Sequence, residues 1–281
     1  MAEEYDPVKY KLSSMQNWNT VARGYHSDWA SKNRGPFKST SELVKAARIK
    51  SGDSVLDVAC GTGAVSTKVV QIIGSSGMLV GIDFSRGALE IARSSVPTGH
   101  FVEMDAENIG LDLKFDKIVC QYALMFFPDP ARVLRRLCSL LKNRGRFAIV
   151  VHGTPGRVPY FSTIMEPLLD HIPDIRPEGT PTVHRFAKAA DLQGVMADAG
   201  FSHISIKEFT FYYDAGNFGK YWSDYMSTTA HSIRAEIEAN GPKIVSAIRR
   251  AAKKKAQQYM KDGRLCFPWQ VLIATAVLTQ D

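Results

Sequence analysis

Two glycines and three aspartates carry the clearest chemical signal in the chain. Gly61 and Gly63 flank Thr62 in Ala59-Cys60-Gly61-Thr62-Gly63, and Asp57, Asp83 and Asp105 each stand at or near the end of a short apolar run. A glycine has no Cβ, so a ligand can lie directly against its backbone. A carboxylate accepts hydrogen bonds from hydroxyls and amines. Asp83 follows Gly61 by 22 positions, near the interval of roughly 20 at which an acidic residue meets a ribose in dinucleotide-binding folds. Three such carboxylates at one edge would suit a polar ligand with an amine, a ribose and a base. A glycine turn alone is also compatible with a tight turn that holds nothing.

The elements that must position these residues follow from periodicity. Val55, Leu56, Val58 and Ala59 form a near-continuous apolar run, the pattern of a strand covered on both faces. Asp57 interrupts it, and a carboxylate there costs energy unless something donates to it. Val65, Val69, Ile72 and Ile73 mark the buried face of a following helix, with Gly74 as its cap. Further strands are expected at 78–83, 101–105, 115–121 and 146–151. Ser85 is placed to cap one helix. Asp129-Pro130 starts another whose stripe runs from Val133 to Leu141 and ends at Gly145. Alternating strands and helices imply parallel units with right-handed crossovers.

The flanks are less regular. Residues 1–14 show no clear pattern. From Met15 to Ala30 a helix is expected, with Trp18, Val21, Ala22, Tyr25 and Trp29 on one stripe. Residues 153–185 read as an irregular, proline-rich connection of the kind that often serves as a lid. A helix at 191–199 and a strand at 204–209 follow, then a mostly helical, aromatic-rich stretch, 210–267, and a last strand at 269–278.

Composition sets bounds. The chain has 281 residues, 45% hydrophobic, with a net charge of +7, which permits an acidic partner without requiring one. It shows no run of 18 apolar residues and no apolar leader at its start, so neither a transmembrane segment nor a signal peptide is expected. Cys60, Cys120, Cys138 and Cys266 have neither metal nor disulfide spacing. No metal site is expected, and a reducing, cytoplasmic setting is.

Three stretches together, Val55 to Gly63, Gly81-Ile82-Asp83-Phe84-Ser85 and Met104-Asp105-Ala106-Glu107, resemble the class I S-adenosylmethionine-dependent methyltransferases. The group containing ubiquinone and menaquinone biosynthesis enzymes and many small-molecule enzymes is most similar. The resemblance covers about residues 15–152 well and specifies the cofactor, not the acceptor. It implies an α/β, Rossmann-like, seven-stranded and mostly parallel sheet with helices on both faces, plus a helical cap. It also implies roles. Trp18, Ala22 and Tyr25 would cover S-adenosyl-L-methionine. Asp57, the Gly61-Thr62-Gly63 backbone and Gln121 would lie along its methionine part. Asp83 would accept from the ribose. Asp105 would accept from the adenine amine, with Ala106 against the ring. Phe84 would pack on the adenine or in the core.

The organisation expected is an N-terminal cofactor-covering segment (1–50), a binding core (51–152), a lid loop (153–185), completion of the core (186–209 and 268–281) and a helical cap over the acceptor pocket (210–267). The function implied is methyl transfer to a small-molecule acceptor whose oxygen, nitrogen or carbon is unspecified. A hydroxyl acceptor needs a general base. His152, at the end of the fifth strand, and the Tyr25 hydroxyl are the candidate catalytic groups. His184 and His231 fall in the lid and cap. Tyr212, Tyr213, Tyr221 and Tyr225 either line a pocket or pack the cap.

Other readings stay open. The basic run Arg249, Arg250, Lys253, Lys254 and Lys255 would serve an RNA or protein methyltransferase, or peripheral contact with an anionic membrane. Against nucleic acid, Gln121-Tyr122-Ala123-Leu124 lacks the Asn/Asp-Pro-Pro-aromatic signature of many amino-group enzymes. A nicotinamide-dependent oxidoreductase would want a third glycine where Ser66 stands. The acceptor and the oligomeric state are not legible.

Overall fold

The computed structural model describes residues 4–278. In chain order the main elements are α1 (Pro7–Tyr25), α2 (Thr40–Ala47), β1 (Ser54–Val58), α3 (Ala64–Ile73), β2 (Met78–Asp83), α4 (Arg86–Ser95), β3 (His100–Glu103), β4 (Phe115–Gln121), α5 (Pro130–Leu140), β5 (Leu141–His152), α6 (Pro159–His171), α7 (Ala189–Asp198), β6 (Ser202–Gly216), α8 (Phe218–Ser227), α9 (Arg234–Ala239), α10 (Gly241–Ala256), β7 (Met260–Lys261) and β8 (Arg264–Val277). They fall into two compact units. One comprises the chain up to Asn17, Thr154–Thr180 and Thr210–Gln270. The other comprises Trp18–Gly153, Pro181–Phe209 and the chain from Val271.

The second of these holds most of the sheet, whose order is β3-β2-β1-β4-β5-β8-β6. β1 pairs in parallel with both β2 and β4, and β8 runs antiparallel to β5. The strand order reverses between β1 and β4, and in open α/β sheets ligands bind beyond the carboxyl ends of the strands at such a reversal. Val55, Leu56 and Val58 are fully buried, as is the α5 stripe Val133, Leu134 and Leu137. Burying each such side chain contributes about 1.5–3 kcal/mol. The sheet has eight strands rather than the seven expected, and the addition is the two-residue β7.

Several expected boundaries move. α1 starts at Pro7, not Met15, because Asp6 caps it: the Val8 and Lys9 amides donate to Asp6 Oδ1 at 2.8 and 3.1 Å. This is the same Asp-Pro signal that starts α5, where the Arg132 amide donates to Asp129 Oδ1. The chain leaves α1 through a π-turn, His26–Ala30. α5 ends at Leu140, and β5 begins at once at Leu141, well before Arg146. β6 extends from Ser202 to Gly216, and β8 begins at Arg264. The largest revision is α6. It lies in the stretch expected to be irregular, where Pro159 opens a helix and Pro167 sits inside it. Its stripe Tyr160, Ile164 and Leu168 is fully buried.

The other unit centres on Tyr160. Its ring meets those of Tyr213, Tyr221, Tyr225, Phe267 and Trp269 at centroid separations of 5.1–5.9 Å. The Tyr221 hydroxyl donates to the Tyr160 carbonyl at 2.6 Å. Tyr213, Tyr221 and Tyr225 are therefore core residues, while Tyr212 is exposed. His231 pairs with Asn17 at 2.8 Å. No helix among the described residues is long and apolar enough to cross a membrane.

Candidate functional site

β1 delivers Asp57 to the end of the sheet and then turns sharply. Ala59 and Gly61 both take positive φ, 52° and 53°, and Gly63 reaches 86° before α3 begins. The two glycines do different work. A Cβ on Gly63 would stand 3.4 Å from Ala92, an ordinary contact, so its φ of 86° rather than lack of room calls for glycine there. A Cβ on Gly61 would meet nothing within 4 Å, so the space beside it is open to a ligand.

The carboxylates at this edge are buried and unequally satisfied. Asp83 accepts from the Gly61 amide at Oδ2 and from the Ser85 amide at Oδ1, both at 2.8 Å. Each oxygen keeps a second lone pair for another donor. Burial still raises the Asp83 pKa to about 6, against the pull of these amides. Asp57 is only 1% exposed. Its Oδ2 accepts from Ser66 Oγ at 2.6 Å, and its Oδ1 is buried with no hydrogen-bond partner among the described residues. Burial, with Asp83 nearby, raises its pKa to about 7 in opposition to the Ser66 hydrogen bond. Such an oxygen costs about 1–3 kcal/mol while it lacks a donor.

Asp105 stands two residues beyond Glu103, the register partner of Asp83. It caps the short turn Ala106–Asn108, accepting from the Glu107 amide at 2.9 Å and from Asn108 Nδ2 at 2.8 Å. Ala106 is buried. Glu107 Oε1 accepts from the Asp129 amide at 2.5 Å and ties this turn to the start of α5. Phe84 is half-buried next to Asp83.

A second group forms around β4. Gln121 accepts from Thr40 Oγ1 at 3.1 Å and donates to Ser39 Oγ at 3.2 Å, so its amide is already engaged by the start of α2. Tyr122 takes positive φ, 57°. Its hydroxyl meets Ser39 Oγ at 2.7 Å and donates to the Pro36 carbonyl at 3.0 Å. Its ring stacks on His152 at 4.3 Å. His152 is 4% exposed, and burial, with His184 close by, holds its pKa well below 6.5. The imidazole is therefore neutral at ordinary pH. His184 places Nδ1 2.7 Å from the Gly153 carbonyl. Trp18, Tyr25 and Phe37 form an edge-to-face row, with spacings of 5.3 and 5.5 Å. Burial raises the Tyr25 pKa, keeping the phenol protonated.

The expected residues thus separate into three sets. Asp57, Gly61, Thr62, Gly63, Asp83 and Phe84 line the β1–β2 edge, with Asp105 and Ala106 after β3. Gln121 and His152 sit on β4 and β5, and Trp18 and Tyr25 on α1. Sequence reasoning missed Ser66, His26, Asn19, Ser39 and Tyr122. Ser66 is one helical turn past the glycines and holds Asp57 in place. Asn19 Oδ1 accepts from Ser85 Oγ and the Gly87 amide, both at 3.0 Å, anchoring α1 to the start of α4. His26 Nδ1 lies 3.0 Å from Thr62 Oγ1. It stands in the π-turn, a distortion frequent at functional sites. For Ser66, a hydroxyl nine residues after an aspartate in an apolar strand was the only available signal.

Known methyltransferases resemble this chain in sequence and in fold. A family model described as a methyltransferase domain matches residues 49–184. The aklanonic acid methyltransferase DauC of Streptomyces sp. (strain C5) is 31% identical over 179 residues, covering 58% of this chain and 80% of that protein. The demethylmenaquinone methyltransferase of Staphylococcus saprophyticus is 23% identical over 210 residues, covering 68% and 84%. In fold, the phosphoethanolamine N-methyltransferase 2 of Haemonchus contortus, solved with S-adenosyl-L-methionine, matches with a TM-score of 0.56 at 16% identity, over 93% of this chain and 57% of that one.

Proposed function

The chain belongs to the class I S-adenosylmethionine-dependent methyltransferases, and we propose that it methylates a small acceptor of the quinone type, the class named for its demethylmenaquinone relative. The observation that carries the cofactor assignment to particular residues is the buried, partnerless Oδ1 of Asp57 beside the open face of Gly61. A ligand ammonium is the donor that this oxygen lacks. When bound, S-adenosylmethionine supplies a sulfonium methyl group that an acceptor nucleophile displaces in line.

In this reading Asp57 holds the amine of the methionine part, and the Gly61-Thr62-Gly63 backbone lies along it. Asp83 uses its remaining lone pairs for the ribose hydroxyls. The Asp105–Ala106 turn borders the adenine, and Phe84 covers its ring. Trp18 and Tyr25 close the site from α1. The side chain of Gln121 acts indirectly, by fixing Ser39 and Thr40. The protein mainly orients the reactants, which in favourable cases supplies on the order of 7–11 kcal/mol. His152 is proposed as the acceptor of the proton lost by a hydroxyl acceptor, since a neutral imidazole can take one up; burial, which lowers its pKa, makes it a weak base there. Segments 153–185 and 210–267 are proposed to select the acceptor. A reducing, cytoplasmic setting suits the four free thiols.

The test is calorimetric binding of S-adenosylmethionine and S-adenosylhomocysteine to the wild type and to Asp83→Ala. Removing a carboxylate that makes charge-assisted hydrogen bonds should weaken binding about 100-fold or more. Equal binding by the variant would remove Asp83 from the site. Binding of nicotinamide dinucleotides in place of the sulfur ligands would overturn the assignment of the turn.

A further inference from the structure

A second concave site lies within the unit that carries α8 and α10. It goes beyond methyl transfer and does not depend on it. α10 buries Ile248, Ala252 and Ala256 and turns Arg249, Arg250 and Lys253 to solvent. These three cations line a groove of about 740 Å³. Its apolar lining includes Phe218, Met260 and Leu265. Met260 is 45% exposed and stands beside these cations.

Charge pairing distinguishes these cations from their neighbours. Lys220 pairs with Asp224 at 2.7 Å, Arg264 with Asp214 at 2.8 Å, and Lys255 with Glu166. Arg249, Arg250, Lys253 and Lys254 make no ion pair among the described residues. Arg249 and Lys253, and Arg250 and Lys254, stand four residues apart on one helix, where like charges repel. Arg249 also lies over the Trp222 ring at 5.9 Å, which fixes its guanidinium at the surface. The groove therefore concentrates positive charge that the protein itself leaves uncompensated, beside an exposed thioether.

We propose that this groove docks the phosphate-bearing headgroups of an anionic lipid surface. Arginine and lysine meet the phosphates, and Met260 meets the acyl boundary. A single-stranded nucleic acid fits less well. It needs rings free to stack on bases, whereas Phe218 packs against Tyr221 and Trp222 at 6.1 and 6.2 Å, and Trp222 is covered by Arg249.

The experiment is co-sedimentation of the full chain with phosphatidylglycerol-containing vesicles and with pure phosphatidylcholine vesicles. The chain should pellet with the anionic vesicles only, less so as salt rises. The triple variant Arg249→Gln, Arg250→Gln, Lys253→Gln should bind on the order of 100-fold more weakly. The charge-keeping Arg249→Lys, Arg250→Lys should stay within a few-fold of wild type. Met260→Ser should lose several-fold with an unchanged salt dependence. Three results would overturn the proposal. One is no binding of the wild-type chain to anionic vesicles. Another is equal loss in the glutamine and lysine variants. The last is retention of single-stranded RNA or free inorganic phosphate more tightly than of the vesicles.

Discussion

The β1 edge of the sheet and the ring cluster around Tyr160 both bury polar groups, ionisable carboxylates at the edge and neutral phenols in the cluster. At the edge, Asp57 and Asp83 are held almost without solvent, their pKa values raised to about 7 and about 6, and Asp57 Oδ1 has no partner. Around Tyr160, the hydroxyls of Tyr221 and Tyr225 reach the carbonyls of Tyr160 and Phe161, and the rings pack edge to face. The first arrangement spends stability to keep a place for a ligand. The second makes the stability. A residue's burial therefore says little about its role until the charge it carries is considered.

The sharpest break of this comparison is Trp269→Ala. This side chain is 1% exposed and lies against Tyr160, Phe161, Phe211 and Tyr213. Its loss should lower stability by about 3–5 kcal/mol in urea unfolding. Cofactor affinity at a temperature where the variant stays folded should be unchanged. Equal loss of both would merge the two roles.

The next test reverses the signs. Asp57→Asn removes a costly buried carboxylate, so the variant should bind cofactor at least tenfold more weakly yet be no less stable. The pH dependence follows. The folded pKa of Asp57 is raised from 3.8 to about 7. The protonated form is thus favoured in the bare native state, and that contribution is present below about pH 4 and lost as pH rises through about 7. Melting curves should show Asp57→Asn gaining on wild type between about pH 4 and about pH 7. Cofactor binding should run the other way in wild type, weakening about tenfold per unit below pH 7 as the carboxylate is neutralised. In the variant it should be flat. A flat wild-type profile would mean that Asp57 does not meet the ligand's charge.

The smallest effect is expected at Ser66→Ala. Loss of its 2.6 Å hydrogen bond should raise the Asp57 pKa further and shift the binding profile to higher pH, with an affinity change of about fivefold at neutral pH. A change in affinity without that shift would make Ser66 a packing residue only.

Much of the sheet was legible because its signals are local. Apolar runs, Gly61 and Gly63, the Ser85 and Asp129 caps and the aspartates after β1 and β2 all lie within a few residues of what they organise. α6 was hidden because Pro167 breaks a helical pattern that tertiary burial of Tyr160, Ile164 and Leu168 sustains. The four cap tyrosines left two readings open, since a ring that lines a pocket and a ring that fills a core have the same spacing.

The sequence by itself determined the central strands and the turn after β1, since strand periodicity and positive-φ glycines follow from backbone sterics, while the class of ligand came from the family resemblance of the motifs. Tertiary structure alone decided the state of the polar groups. Ser66 meets one oxygen of Asp57 and nothing meets the other. Gln121 is already held by Ser39 and Thr40, and His152 is stacked beneath Tyr122. Those outcomes depend on residues 9 to more than 80 positions apart, and hydrogen bonding and desolvation act only between groups that the fold has brought within a few ångströms of one another.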